Sequence, residues 1–212
     1  SINITGDRYF YVNPLEVVPQ YCTEHTHMKH VKPVRQRWFS VACCPPNVSR
    51  TLASLGQYIY AKDKDALYIN LFISSSAKAQ FEESEMFISL DSTLMQEGRI
   101  RIKANCPVIL NKSIMVRIPD YAGDISAKKD GQHIEICKTN GYACFSGIWN
   151  GTHIIEIDLD IKPYWISANT NVRADVGKVA LMKGPCVYCL EEKDNGENLA
   201  SVYVSSGCRL NE

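Results

Sequence analysis

Two stretches decide the fold: residues 99–104 read Arg-Ile-Arg-Ile-Lys-Ala, and residues 155–159 read Ile-Glu-Ile-Asp-Leu. Apolar and charged residues alternate in both, which is typical of a β-strand with one face on a core and the other in water. Similar runs follow one another from about residue 66 onward, separated by turn dipeptides such as Asp130-Gly131 and Asn150-Gly151. The sequence therefore predicts an all-β protein, with an antiparallel, jelly-roll-like β-sandwich over residues 63–212 and hairpins at both dipeptides.

The first 62 residues have a different pattern. Apolar residues recur at helical spacing at Val48, Leu52, Leu55 and Ile59. This spacing predicts one helix over about residues 47–59, with Asn47 as its N-cap. Residues 9–15 predict a strand that ends at a proline, and residues 24–36 predict a polar loop. Because a single helix with a strand and a loop cannot bury itself, we expect this segment to pack on a larger structure.

Charge and hydropathy exclude two classes of partner. The 212 residues carry 23 Lys and Arg against 23 Asp and Glu, so the formal net charge is zero. Nucleic-acid binding needs a positive field that this balance does not provide. No apolar run approaches the roughly 20 residues that a membrane helix needs. We therefore expect neither a nucleic-acid partner nor a membrane partner.

Nine cysteines occur in the chain, and an odd number cannot all pair in intrachain disulfides. Four of them lie in apolar, strand-like runs: Cys137, Cys144, Cys186 and Cys189. A free cysteine in such a run behaves as a small buried residue. This usage favours a reducing compartment and predicts a cytoplasmic location.

The candidate site is the pair Cys43-Cys44, which directly precedes Pro45-Pro46-Asn47. A thiolate at the start of a helix is stabilised by unpaired N–H groups and by the helix dipole, which lower its pKa and make it available as a nucleophile. Two cysteines cannot complete a zinc site, because a closed site takes about four ligands. The alternative is a pair of buried cysteines in front of an ordinary helix.

A second group of metal-ligating residues lies near the N-terminus, at Cys22, His25, His27 and His30. Its spacing could chelate zinc or nickel. The stretch is polar and lacks core-like apolar flanks, so a solvated loop is the favoured interpretation.

Two further patterns have a structural interpretation beside a chemical one. Cys186 and Cys189 form a CxxC motif, but the surrounding residues predict a strand rather than a redox-active turn. Three aromatic residues could stack on sugar rings: Trp149, Tyr164 and Trp165. Aromatic residues on strands are more often part of a core.

Three separated motifs carry a family resemblance: YFYVNPLE at residues 9–16, RWFSVACCPPNVSR at residues 37–50 and GKVALMKGPCVYCLE at residues 177–191. In this order they resemble glycoside hydrolase family 127, the β-L-arabinofuranosidase-like group formerly called DUF1680. The resemblance extends over nearly the whole chain.

The resemblance implies a retaining glycosidase with a zinc-bound cysteine as nucleophile and a glutamate as general acid/base. Mapped by motif, Cys43 would be both nucleophile and zinc ligand, and Cys44 a further zinc ligand. Tyr11 would lie near the substrate pocket, as a sugar contact or as a core residue. The substrate would be an L-arabinofuranoside or a related plant-glycan oligosaccharide.

In this family an (α/α)6 barrel carries the active site and β-sandwich domains follow it. We therefore expect residues 1–62 to be the C-terminal edge of the barrel, and the chain to be a C-terminal portion of the enzyme. The acid/base and the other zinc ligands would then precede it, so zinc would be weakly held and hydrolysis by residues 1–212 alone is expected to be slight. A homodimer through the β-domains is a further expectation.

Two alternatives from other classes remain open at this point. The β-sandwich could be a non-catalytic accessory or carbohydrate-binding module. The chain could also be a small thiol–metal protein with the ligands Cys22, His25, Cys43 and Cys44.

Overall fold

The computed structural model describes residues 2–11, 16–24, 30–82, 84–205 and 207–210. The chain divides into two compact units, Ser1–Tyr58 and Ile59–Glu212. Within the described ranges, no helix combines the length and the apolar character needed to cross a bilayer.

The first unit contains the helices α1 (Pro19–Glu24) and α2 (Cys44–Ser54), and α3 (Gly56–Ile59) begins at its end. The predicted strand over residues 9–15 does not form in the part that is described. Tyr9 makes only isolated bridges, with Ile2 and Gln36, and residues 12–15 lie outside the described residues. An isolated bridge forms here because each partner segment meets Tyr9 at a single position.

Helix α2 begins earlier than predicted. Cys43 occupies the N-cap position, Cys44 is the first helical residue, and two prolines follow in the first turn. A proline costs nothing there, because the first N–H groups of a helix have no intrahelical partner. The predicted N-cap at Asn47 is therefore wrong: this residue lies inside the helix, and its amide Nδ2 donates to the carbonyl of Cys43 at 2.7 Å.

The second unit is built mainly from strands. Its larger sheet contains β1 (Tyr60–Lys62), β2 (Ala66–Ile69), β3 (Ser75–Gln80), β4 (Glu85–Thr93), β5 (Arg99–Arg117), β6 (Ile125–Lys129), β7 (Gln132–Ile134), β8 (Cys137–Thr139) and β9 (Tyr142–Leu159). A smaller sheet contains β10 (Pro163–Ile166), β11 (Ala180–Lys183) and β12 (Cys186–Tyr188). Short helical segments are α4 (Leu94–Glu97), α5 (Glu192–Asn195) and the 3-10 turns Arg173–Asp175 and Leu199–Ser201.

Two long strands, β5 and β9, form the axis of the larger sheet. They pair antiparallel from Arg99↔Asp158 to Arg117↔Tyr142. Strand β4 flanks the first half of β5 in antiparallel register, and β2 flanks the second half in parallel register. The β class is confirmed, but the prediction of purely antiparallel pairing is wrong at β2–β5. A parallel pair needs a long connection, and β3 and β4 lie between these strands in the sequence.

The two predicted hairpin turns, and a third turn dipeptide of the same kind at Asn140-Gly141, have different outcomes. Asp130-Gly131 joins β6 to β7, as predicted, and Asn140-Gly141 joins β8 to β9. The predicted hairpin at Asn150-Gly151 is wrong, because both residues lie inside β9. Gly151 has a φ of 73° beside a register shift between Cys106 and Leu110, where β5 carries additional residues. Such a bulge bends a continuous strand without ending it.

The alternation that predicts the fold also defines the core. On β5, Ile100 and Ile102 are buried while Arg99 and Arg101 are exposed. On the facing segment of β9 the isoleucines are also buried, and the carboxylates between them are half-buried. The outward arginines pair with carboxylates on β9: Arg99 Nε lies 2.9 Å from Asp158 Oδ1. One hydrophobic cluster collects the inward residues of both halves of the sheet.

The predicted burial of four strand cysteines is wrong. Cys137, Cys186 and Cys189 are exposed and Cys144 is half-buried, whereas Cys106 is buried. For Cys137 and Cys186 the difference follows from position, because β8 and β12 each pair on only one side within the described residues. Cys106 lies on the central strand β5, where burial raises the pKa of its thiol.

Candidate active site

The start of helix α2 places two thiols next to each other. Cys43 has helical backbone angles (φ −79°, ψ −35°) but caps the helix without a side-chain hydrogen bond. Its thiol is therefore not used to close the first turn. The two prolines that follow fix the direction in which the chain enters the helix. Cys44 then begins the helix with its backbone N–H pointing out of the N-terminus.

The Tyr11 hydroxyl lies against this helix start. Its oxygen accepts hydrogen bonds from the backbone N–H of Cys43 at 2.8 Å and of Cys44 at 3.1 Å. The same oxygen lies 2.5 Å from Cys43 Sγ. A hydroxyl has two acceptor lone pairs and one proton. Because the two N–H groups occupy the lone pairs, the proton is left to point at the sulfur, and Tyr11 donates to Cys43.

This hydrogen bond changes the acidity of both groups. Donation from Tyr11 is the main cause that lowers the pKa of the Cys43 thiol, and the contact with the Cys44 side chain lowers it further. The same contact with Cys43 is the main cause that raises the pKa of Tyr11. The two directions agree: the sulfur is stabilised as thiolate while the phenol keeps its proton.

Packing holds the Tyr11 ring in this position. The residue is 8% exposed. Its ring centroid lies 5.4 Å from that of Phe39 and 5.7 Å from that of His30. The structure therefore brings together Tyr11, Cys43 and Cys44, and it assigns the Tyr11 hydroxyl a contact with the nucleophile candidate.

Sequence reasoning missed the role of Asn47. Its side chain donates to the Cys43 carbonyl and accepts from Arg50 Nη2 at 2.7 Å. Asn47 lies four positions after Cys43, and this spacing could have revealed the contact, because residues i and i+4 are neighbours on a helix. This contact fixes the carbonyl of the residue that carries the candidate thiol.

The two thiols have the right donor chemistry for zinc. Zinc binds cysteine as thiolate, and the lowered pKa of Cys43 favours that form. Among the described residues, no group of three or more His, Cys, Asp or Glu side chains is arranged to hold a metal ion. Cys43 and Cys44 therefore fit part of a zinc site. In the predicted N-terminal cluster, His25 and His27 lie outside the described residues.

The other sequence candidates lie in the second unit. Trp149 is fully buried, so stacking on a sugar is excluded for this residue and the core interpretation is confirmed. Tyr164 and Trp165 are half-buried on β10. Cys186 belongs to strand β12, as the strand interpretation of the CxxC motif predicted, but Cys189 lies beyond the end of that strand.

Three domain models of one family match consecutive parts of the chain. The beta-L-arabinofuranosidase GH127 catalytic domain matches residues 1–57, the GH127 middle domain matches 66–161, and the glycoside hydrolase family 127 C-terminal domain matches 163–211. The catalytic-domain match contains Tyr11, Cys43 and Cys44.

A curated relative and two solved structures show the same likeness. The non-reducing end beta-L-arabinofuranosidase of Bifidobacterium longum subsp. longum is 29% identical over 98% of this chain and 32% of its own length. A GH127 beta-L-arabinofuranosidase structure from Geobacillus stearothermophilus T6 is 38% identical, with a TM-score of 0.84 over 94% of this chain and 32% of that one. A further GH127 beta-arabinofuranosidase structure is 29% identical, with a TM-score of 0.74 over 91% of this chain and 31% of that one.

The chain thus spans about a third of the length of these relatives. The family matches follow one another along nearly all of its residues, in the order of the three sequence motifs. The chain belongs to glycoside hydrolase family 127.

Proposed function

We propose that Cys43 is the nucleophile of a retaining glycoside hydrolase that acts on β-L-arabinofuranosides or related plant-glycan oligosaccharides. The observation that carries this proposal is the Tyr11 hydroxyl, which accepts from two backbone N–H groups and directs its proton to Cys43 Sγ. This arrangement favours a thiolate at the start of a helix, and a thiolate is the nucleophilic form of cysteine.

In the first step, the Cys43 thiolate forms a bond to the anomeric carbon of the sugar while the glycosidic C–O bond breaks. The leaving oxygen takes a proton from a general acid, which the family resemblance implies is a glutamate. We assign that role to no residue of this chain. The product of the step is a thioglycoside on Cys43 and a free aglycone.

In the second step, the general acid, now deprotonated, takes a proton from water while the water oxygen attacks the anomeric carbon and the C–S bond breaks, so the sugar is released with its original anomeric configuration. The sulfur leaves as a thiolate. The Tyr11 hydroxyl stabilises this leaving group, because hydrogen bonds to a charged acceptor are stronger than those to a neutral thioether. Tyr11 therefore acts on the nucleophile in both steps, a role in addition to the sugar contact or core position that the resemblance implies.

We further propose that Cys43 and Cys44 supply two sulfur ligands to a zinc ion. A bound zinc ion would keep both thiols deprotonated and would reduce the basicity of the departing sulfur. Since a closed zinc site takes about four ligands, the remaining ligands are assigned outside this pair.

We also infer that residues 1–62 form the edge of the (α/α)6 barrel and that residues 63–212 form the β-sandwich. The catalytic-domain match at 1–57 supports the first assignment. The absence of any buried residue on α2 supports it too, because an apolar helix face needs a partner. Without an assigned acid/base, residues 1–212 alone are expected to hydrolyse arabinofuranosides very slowly.

The test compares the polypeptide of residues 1–212 with the protein encoded by the longest open reading frame that contains this sequence. Each sample is mixed with an aryl β-L-arabinofuranoside that has a good leaving group, quenched in acid and mapped by mass spectrometry. The longer protein is expected to carry one pentosyl adduct on Cys43 and to release the β-anomer first by NMR. Cys43→Ser should lose the adduct, and Cys22→Ser in the same unit should keep it.

Two results would overturn the proposal: turnover in which the adduct lies on another residue, or first release of the inverted anomer. Rapid turnover by residues 1–212 would contradict the expected inactivity of this chain while leaving Cys43 as the candidate nucleophile.

A further inference from the structure

A cysteine pair far from helix α2 in the sequence lies on two neighbouring strands of the second unit. Strands β8 and β9 form a hairpin, and their register places Cys137 directly opposite Cys144. Residues that face each other across antiparallel strands project from the same side of the sheet. Both thiols therefore lie on one face, side by side.

The hairpin register sets the distance between the two residues. The two-residue turn leaves Thr139 and Tyr142 as the first hydrogen-bonded pair, and pair types alternate along the strands. Cys137 and Cys144 fall two positions further on, so they are again a hydrogen-bonded pair, for which the Cα separation is about 5.5 Å. A disulfide spans Cα separations of about 4.4–6.8 Å. The Cβ atoms of facing residues lie about 4.5–5.5 Å apart, whereas a relaxed disulfide needs about 3.5–4.5 Å. The bond therefore draws the two strands slightly together, and the resulting strain makes it easy to reduce.

Both thiols are accessible to small molecules. Cys137 is exposed and Cys144 is half-buried, and both are free. Strand β8 pairs only with β9 within the described residues, so its other edge is open. Cys144 Sγ lies 3.0 Å from Ser146 Oγ and is not enclosed by the core. A reagent can thus approach Cys137 from the open edge, with Cys144 as its neighbour.

We propose that Cys137 and Cys144 form a thiol-modification site, which a low-molecular-weight disulfide such as glutathione disulfide converts reversibly into a cross-strand disulfide. The Cys137 thiolate attacks one sulfur of the reagent, whose S–S bond breaks and releases one thiol. The Cys144 thiolate then attacks the Cys137 sulfur of the mixed disulfide and releases the second thiol. The protein loses two electrons and two protons, and the reagent takes them up as two thiols.

The register distinguishes this pair from the CxxC motif. Cys186 faces Lys183 across β11 and β12, and Cys189 lies beyond the end of β12. Neither residue has a cysteine opposite it. The structure therefore predicts an intramolecular bond at Cys137 and Cys144, and no comparable bond between Cys186 and Cys189.

The bond would have a local effect. It closes a ring of only a few residues around Asn140-Gly141, and a disulfide stabilises less when the closed loop is short. It would fasten the edge strand β8 to β9 and remove two reactive thiols. A large shift in the midpoint of unfolding is not expected.

The test treats residues 1–212 with a mixture of oxidised and reduced glutathione, blocks remaining thiols with N-ethylmaleimide in acid and digests the protein with trypsin. Cleavage after Lys129, Lys138 and Arg173 places the two cysteines on separate peptides, residues 130–138 and 139–173. The expected product is a pair of these peptides joined by one disulfide, formed at least about tenfold more than any other link between cysteines.

Controls connect the link to the register. Cys137→Ser should abolish it, and Cys186→Ser should leave its yield unchanged. In urea the preference over a link between Cys186 and Cys189 should disappear, because loop length alone, and no longer the register, then decides which cysteines meet. The proposal is overturned if the folded protein carries separate glutathione or maleimide adducts on both cysteines, or if the link forms equally well in urea.

Discussion

The two units of this chain hold their important residues in different ways. In the second unit, every member of the hydrophobic core cluster lies between Ile59 and Leu159, and the cluster joins residues from both long strands. In the first unit, helix α2 has no buried residue. The thiol of Cys43 is held instead by the hydroxyl of Tyr11, and the carbonyl of Cys43 accepts a hydrogen bond from the amide of Asn47.

A substitution is therefore expected to change different properties in the two units: the stability of the chain in the second, and the reactivity of Cys43 in the first. A packed core distributes its free energy over many contacts, so a substitution there is felt as a cavity and as a loss of unfolding free energy. At Cys43, by contrast, the pKa of the thiol depends mainly on one oxygen atom, the hydroxyl of Tyr11. Removing that atom is expected to change the reactivity of Cys43 far more than the stability of the chain.

The largest expected effect is at Trp149, which is fully buried and donates from Nε1 to the Lys112 carbonyl at 2.8 Å. Trp149→Ala leaves a large cavity and removes this donor, so we expect a loss of about 3–5 kcal/mol in the free energy of unfolding. Urea unfolding followed by far-UV circular dichroism measures it, since the signal does not depend on the deleted indole. If Trp149→Ala does not fold, Trp149→Phe gives a smaller and measurable loss.

A neighbour on the same strand is the control for this substitution. Ile148 is 63% exposed, so Ile148→Ala should change the free energy of unfolding by no more than about 0.5 kcal/mol. Equal losses for Ile148→Ala and Trp149→Ala would mean that packing on the inner face of β9 does not hold this unit together.

An intermediate effect is expected at Gly98, between α4 and β5. Its φ is +70°, and a Cβ there would lie 2.2 Å from the Leu159 carbonyl oxygen. Gly131 also has a positive φ, +81°, but open space around it. Both alanine substitutions carry the cost of a left-handed conformation, about 1 kcal/mol. Only Gly98→Ala adds a clash, so we expect a total loss of about 3 kcal/mol for it.

The difference between these two variants isolates the contact with β9 from backbone strain, and thermal unfolding of both under identical conditions measures it. The end of β9 is not closely packed on Gly98 if Gly131→Ala proves as destabilising as Gly98→Ala.

Alternation in the sequence identified the packed unit because burial repeats along a strand. Ile100 and Ile102 lie inward as predicted. The Asp130-Gly131 dipeptide forms the turn of the β6–β7 hairpin, also as predicted. The same reasoning failed at Asn150-Gly151. Turn residues specify a local bend, but whether a bend ends a strand depends on pairing with β5, where the partner of Gly151 is Cys106, 45 residues earlier in the sequence.

The candidate site was predictable only in part, for a related reason. The pair Cys43-Cys44 could be singled out from its place before two prolines, because a helix start is a local feature. The contact with Tyr11 joins residues 32 positions apart. No spacing rule connects them, so the family motif indicated Tyr11 without showing that its hydroxyl lies on the sulfur.

The smallest change tests the first unit most directly. Tyr11→Phe keeps the ring that packs on Phe39 and removes only the oxygen. Because this hydroxyl lowers the pKa of the Cys43 thiol, its loss should raise that pKa. The thiolate would then form at higher pH, and the rate of alkylation at neutral pH should fall about three- to tenfold.

Iodoacetamide labelling across a pH series, in buffer with a chelator, measures this rate. Tryptic residues 38–50 contain both Cys43 and Cys44, so fragmentation of that peptide assigns the label to one residue. Tyr58→Phe is the control, since Tyr58 is 59% exposed in the same unit, and its pH profile should match the unmodified chain. If the profile of Tyr11→Phe also matches, the hydroxyl does not hold the thiolate, and the contrast between a packed unit and a hydrogen-bonded site no longer applies to Cys43.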